Sequence, residues 1–143
     1  MISRIGTAWG SWAPRLRSVL RIVAAFMFFQ NGTMKLLAWP MGMPPDNSTA
    51  IFGTQTWVGG VLELVGGVLL LLGLFTRPVA FLLSGEMAVA YFQFHQPRGL
   101  WPIVNMGTPA VLYCFLWLYF SAAGAGPWSV DALRTRNQLG APS

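Results

Sequence analysis

Residues 57–75 read Trp-Val-Gly-Gly-Val-Leu-Glu-Leu-Val-Gly-Gly-Val-Leu-Leu-Leu-Leu-Gly-Leu-Phe, an apolar run broken by one charge, Glu63. At about 1.5 Å per residue a helix of this length covers close to the roughly 30 Å hydrocarbon core of a bilayer. An ionised side chain at the centre of such a helix costs roughly 2.5–3.5 kcal/mol. Glu63 therefore needs a protein partner rather than lipid. Helical spacing supplies the face: Gly59, Glu63, Gly66, Leu70 and Gly73 fall on one stripe, with Gly60 and Gly67 beside it. Small residues at this spacing let a second helix approach closely, so Gly59, Gly66 and Gly73 are expected to pack against protein.

Three further stretches resemble this one in length. Residues 16–37 hold an uncharged centre, Ile22 to Met34, with Arg21 and Lys35 placed to snorkel outward from its ends. Residues 78–94 are interrupted only by Glu86, and residues 107–123 carry no charge. The basic start of the first stretch could suggest a signal peptide, but Gln-Asn-Gly-Thr-Met-Lys at 30–35 is a poor cleavage region, so a retained helix is expected. The whole chain agrees: 55% of its 143 residues are hydrophobic and 9% charged, with a mean hydropathy of +0.55, whereas soluble domains average about 25% charged. The fold class expected is all-α, a single integral membrane domain over residues 1–143. Short links make it an up-down bundle of four transmembrane helices.

Positive charge orients the bundle. With the N-terminus in the cytoplasm, Arg4, Arg15, Arg17, Arg21, Arg77, Arg134 and Arg136 lie on that side and only Lys35 and Arg98 outside. Both termini are then cytoplasmic. Trp39, Trp57, Trp101 and Trp128 fall near the span ends as an aromatic belt. The Gly124–Asp131 segment reads as a turn that ends the last span, with Pro127 stopping the helix and Trp128 anchored among headgroups.

Other chemistries are excluded by count. Basic residues scattered at span ends do not form the stripe that nucleic acid requires. The single Cys114 has no partner for a disulfide, a CxxC redox pair or a thiolate cluster, and the single His95 excludes a multi-histidine metal site within one subunit. No metal is expected, nor any nucleophile–base pair or phosphate loop.

What remains is polar matter in the outer half of the bundle: Gln30, Asn31, Lys35, Glu63, Glu86, Gln93, His95 and Asn105. Lys35 and Glu63 share a depth and are expected to be coupled. Two readings stand: a polar lock that fixes helix order, or a pocket opening outward where a small polar or amphipathic molecule binds or a proton is handled. Gln30, Asn31, Lys35, Glu63, Glu86, His95 and Asn105 are the candidate pocket residues.

Three blocks resemble a known family. Phe26–Leu36 is similar to an F-x-x-x-G-x-x-K-L opening, Leu62–Pro78 resembles a central signature, and Gly124–Asp131 is similar to a terminal G-x-G-x-W-S-x-D. These are the marks of the DoxX family of small four-helix integral membrane proteins. The resemblance covers about Arg17 to Asp131, and among the polar positions its family-like ones are Lys35, Glu63, His95 and Asn105. It departs at Asn105-Met106-Gly107-Thr108, where many relatives carry a glutamate shortly after the asparagine. The resemblance implies a non-autonomous subunit of a quinone- or thiosulfate-linked oxidoreductase system in the bacterial inner membrane. Its catalytic partner subunit would lie elsewhere, and a quinone or similar amphipathic molecule would bind with no covalent cofactor. Lys35, Glu63 and Glu86 would handle charge or protons, with His95 and Asn105 at the mouth. The alternative is a membrane scaffold or small-molecule carrier without electron transfer. A homo-oligomer packed through the helix-two glycines is open in either case.

Overall fold

A computed structural model describes residues 2–139, with side chains from residue 9 onward, so the side chain of Arg4 lies outside the described residues. Among the described residues there are five α-helices: α1 (Ile2–Leu37), α2 (Gln55–Leu72), α3 (Thr76–Ala90), α4 (Thr108–Ala123) and α5 (Val130–Leu139). A π-helical turn, Tyr91–His95, and a 3₁₀ turn, Gln96–Arg98, prolong α3. Among the described residues there is no strand, only an isolated bridge between Met43 and Ser48. The protein is all-α.

Consecutive long helices run antiparallel. Gly32 meets Leu64 and Gly60, Phe29 meets Gly67, and Arg21 meets Gly73, which sets α1 against α2. Ser84 donates to the Cys114 carbonyl at 2.8 Å and Arg77 reaches the Ala122 carbonyl, which sets α3 against α4. α1 packs along α2 and α3 along α4, whereas α2 and α3 meet over a shorter stretch. An aromatic cluster fills the middle, with Phe28 edge-on to Tyr113 at 5.0 Å and to Trp117 at 5.3 Å. Around it Leu70, Leu83 and Phe120 are fully buried.

Glycine sets the closest approach, but not along the whole expected stripe. A Cβ on Gly32 would lie 2.5 Å from the Leu64 backbone nitrogen, and one on Gly67 2.9 Å from the Phe29 Cα. Backbone cannot move aside as a side-chain tip can, so α1 and α2 are held together by Gly32, Gly60 and Gly67. Of the stripe itself, Gly66 faces the Leu83 side chain across to α3, and Gly73 faces Ser129 and Arg21.

α1 differs from the sequence expectation in two respects. α1 begins at Ile2 rather than near residue 16, passing through Pro14; an interior proline removes one helical hydrogen bond without always ending the helix. Arg21 does not snorkel outward. It is fully buried, and its guanidinium donates to the carbonyls of Leu70, Leu71 (2.7 Å), Ala125 (2.9 Å) and Trp128 (2.5 Å). Helix-end carbonyls attract it: those of Leu71, Ala125 and Trp128 receive no backbone amide, and that of Leu70 shares the guanidinium with the Gly73 amide. Gly73, at φ 67°, ends α2 in the left-handed conformation, with Gly73 N–H on Leu70 and Leu74 N–H on Leu69, a Schellman arrangement. Phe75, also left-handed at φ 52°, is the N-cap of α3 without a side-chain cap. Asp131 supplies one from a distance, accepting from the Phe75 and Thr76 amides at 2.9 Å each.

Candidate functional site

The second charged cluster lies at the opposite end, where α1 finishes and α2 starts. Lys35 Nζ donates to Glu63 Oε1 at 2.8 Å and stands 2.7 Å from Oε2. Glu63 is 2% exposed and Lys35 22%. α2 presents Glu63 here because its glycines bring α1 close enough for the lysine stem to cross; Gly60 lies against the Lys35 Cβ.

Glu86 completes the cluster from α3. Its Oε1 would lie 3.3 Å, and Lys35 Nζ 4.0 Å, from a Cβ on Gly59, so α3 carboxyl and α1 ammonium converge over a bare stretch of α2 backbone. Gly59 thus borders this cluster rather than packing against a helix. Glu86 Oε2 is buried and has no hydrogen-bond partner. Buried polar atoms are nearly always paired, and an orphan costs about 1–3 kcal/mol. Thr76 Oγ1 and Trp117 Nε1 are orphans too, and what sets Glu86 apart from these two is that it is an ionisable group beside a second carboxylate and a lysine.

Glu86 is also part of the wall of a cavity of about 650 Å³ between α2 and α3. Lys35, Gln55, Thr56, Glu86 and His95 supply its polar wall, with Leu62, Phe81, Met87 and Phe94 among the apolar lining. It lies where α2 and α3 diverge. Gly85 has nothing within 4 Å of its would-be Cβ, so the α3 wall is thin as well. At the rim, Gln55 and Gln93 are hydrogen-bonded to each other. His95 ends the π-helical turn, its Nδ1 3.1 Å from the Asn105 carbonyl oxygen. Such turns inside α-helices re-aim side chains and recur at functional sites.

Of the seven candidates, Lys35, Glu86 and His95 line the cavity and Glu63 backs it through Lys35. Asn105 is elsewhere: 1% exposed, it donates to the Gly99 carbonyl at 2.8 Å and accepts from the Gly107 amide at 2.8 Å, which pins the loop before α4. Gln30 and Asn31, half-buried on α1, are not in the cavity wall. The apolar lining from α3 and the π-helical turn, Phe81 to Phe94, carried no separate signal in the sequence, because a lipid-facing residue and a ligand-facing one have the same composition.

The sequence model of the DoxX family matches residues 16–96. The chain belongs to the DoxX family. An uncharacterized protein of Haemophilus influenzae (strain ATCC 51907 / DSM 11121 / KW20 / Rd) is 46% identical over 123 residues, which cover 84% of this chain and 91% of that protein. No solved structure matches the chain. The DoxX match takes in α1 from Leu16 through the π-helical turn, and with it Lys35, Glu63, Glu86 and His95, while Asn105 falls beyond it.

Proposed function

We propose that this DoxX-family protein crosses the bilayer four times with both termini cytoplasmic. In the outer half of the bundle it binds a small amphipathic molecule whose polar head rests on Lys35 and Glu86. The observation that carries the reading is Glu86, whose Oε2 has no partner, on the wall of a 650 Å³ cavity beside Lys35. Lys35 is neutralised by Glu63, so the head group meets a carboxyl that can accept or donate one hydrogen bond and an ammonium that can donate another. Around them the wall is hydrocarbon, suited to an apolar tail. A quinone has this character. On that ground, and on the family's association with quinone- and thiosulfate-linked oxidoreductases, we assign the protein to such a system in the bacterial inner membrane. Its role there is that of a ligand-binding subunit beside a catalytic partner.

Membrane residence is supported by where the apolar surface lies. α2 is long and apolar enough to cross a membrane, only 28% of that stretch is buried, and α4 is a shorter apolar helix. Large apolar side chains point outward from every long helix, among them Phe26 on α1, Val65 on α2, Phe81 on α3 and Phe115 on α4. A soluble monomer rarely exposes apolar area on this scale. A conduit reading is less well supported, since Phe28, Leu70, Leu83, Trp117 and Phe120, all fully buried, fill the middle of the bundle.

Native mass spectrometry of the protein, gently extracted from its own membrane, tests the assignment. Retention of a quinone-sized molecule, lost in Glu86→Gln, or of a stoichiometric oxidoreductase subunit is the expected result. A bare monomer or homo-oligomer carrying only bulk phospholipid would overturn it in favour of a scaffold.

A further inference from the structure

The arginine-rich end of the molecule holds a second concavity, a groove of about 750 Å³ between the start of α3, the end of α4 and α5. Arg17, Arg77, Arg134 and Arg136 all line it, against one carboxylate, Asp131. That carboxylate is occupied, one oxygen on the Phe75 amide and the other on the Thr76 amide. Among the described residues the ion pair is Lys35–Glu63 at the other end, so none of these four arginines has a carboxylate partner.

Two of the arginines are anchored with donors to spare. Arg17 Nη1 donates to the Ala123 carbonyl at 2.8 Å and Arg77 Nη1 to the Ala122 carbonyl at 2.5 Å, at the negative end of α4. Arg17 Nε is buried with no partner. Arg77 Nε and Nη2 lie alongside Gly124, 3.5 Å from where a Cβ would stand. A guanidinium offers five N–H groups in a planar fork, and each of these two spends one nitrogen on α4. Arg134 lies over the Phe75 ring at 5.1 Å, which leaves its N–H edge free, and Arg136 is exposed. Four guanidinium groups gathered on one groove repel one another unless an anion joins them.

We infer that this groove binds the phosphate headgroup of an anionic phospholipid. Phosphate matches the arginine fork in shape and charge. A lipid, rather than a soluble anion, fits the surroundings: Phe75 and Trp128, each 52% exposed, flank the groove, and Phe81 continues the apolar surface of α3 away from it. The groove thus sits where an apolar belt gives way to charge, the level at which headgroups lie and at which each nearby basic residue contributes about 1 kcal/mol of attraction to an anionic leaflet. This site rests on the membrane part of the proposed function and is independent of the cavity beside Glu86.

The full chain is reconstituted in nanodiscs of phosphatidylcholine alone and with phosphatidylglycerol, then released for native mass spectrometry. Stable insertion into phosphatidylcholine alone checks the membrane reading by itself; failure to enter any bilayer would sink that reading and this one together. In mixed discs the expected result is retention of one phosphatidylglycerol at least tenfold over phosphatidylcholine, reduced at least fivefold in the R134Q/R136Q double variant. R136Q alone, on the exposed face of α5, gives a partial loss and guards against misfolding of the double variant, whose melting temperature in phosphatidylcholine is recorded alongside. Equal retention of the two lipids, or a preference that survives both variants, overturns the headgroup site. Displacement of the lipid by millimolar inorganic phosphate would also overturn it, since the site would then belong to a soluble anion.

Discussion

Arg21 and Glu86 are charged side chains at opposite ends of the bundle, and the fold treats them in opposite ways. At the arginine-rich end, Arg21 is enclosed by four carbonyl partners, and Asp131 divides its two oxygens between two amides. At the loop end, Lys35 and Glu63 satisfy each other, but Glu86 keeps a buried oxygen without a partner beside a cavity. A fully hydrogen-bonded buried ion specifies geometry; a partly satisfied one is a cost the fold would shed if nothing else used it. The comparison separates architecture from site more sharply than burial does, since Arg21 and Glu63 are both within 2% of full burial.

The first way to break it is at the architectural end. Arg21→Met is expected to be the most damaging single change, about 3–5 kcal/mol, because it leaves carbonyls from two segments buried and unpaired. Thermal melting in detergent reads this, with Arg21→Lys recovering less than half, since an ammonium cannot span both segments as the planar fork does. A loss under 1 kcal/mol for Arg21→Met would mean the network is incidental.

The glycines sharpen the same contrast. Gly32→Ala puts a methyl 2.5 Å from backbone and is expected to cost about 1–3 kcal/mol through forced separation of α1 and α2. Gly59→Ala meets only the Glu86 Oε1 at 3.3 Å and Lys35 Nζ at 4.0 Å, so its melting temperature should stay near wild type while retention of the cavity's ligand falls. Equal melting losses at the two positions would erase the distinction between a packing glycine and a cavity glycine.

These positions also show what the sequence could reveal. Hydrophobic run length was enough for the helical class, because a chain with so few charges has little choice of solvent. Spacing placed Glu63 and a glycine-rich face on one helix, but two glycine rows run side by side on α2, and periodicity alone does not say which row meets which neighbour. Gly60 and Gly67 took α1, Gly66 took α3, and Gly59 took the cavity. Arg21 was misplaced for a related reason. A cation near a span end reads as solvent-seeking until its acceptors are known, and those belong to segments about 50 and more than 100 residues away. Asn105 likewise has the composition of a pocket residue and the bonds of a loop clasp. Polar residues in an apolar chain announce that they are buried; their partners decide why.

Within the loop end, the Lys35–Glu63 pair offers a middle-sized effect. Lys35→Met and Glu63→Gln should each destabilise more than half as much as the double variant, with a coupling of about 1–2 kcal/mol in the cycle, because each single change strands a buried partner. Additive melting shifts would show that the two charges are neighbours without being a unit.

Glu86→Gln should have the smallest effect on stability and the largest on binding. The substitution keeps the shape of the side chain and removes only its ionisable oxygen, and no bond within the protein is lost, since Oε2 makes none. Melting temperature is therefore expected to hold or rise slightly, by less than about 1 kcal/mol equivalent, as an orphaned carboxyl is replaced by a neutral amide. Retention of a bound amphipathic molecule should fall at least tenfold in the same preparation. If stability drops as steeply as for Arg21→Met, Glu86 is bonded in the working protein and belongs to the architecture. A stable variant that still retains the molecule would leave the cavity in place and remove the carboxyl from its recognition.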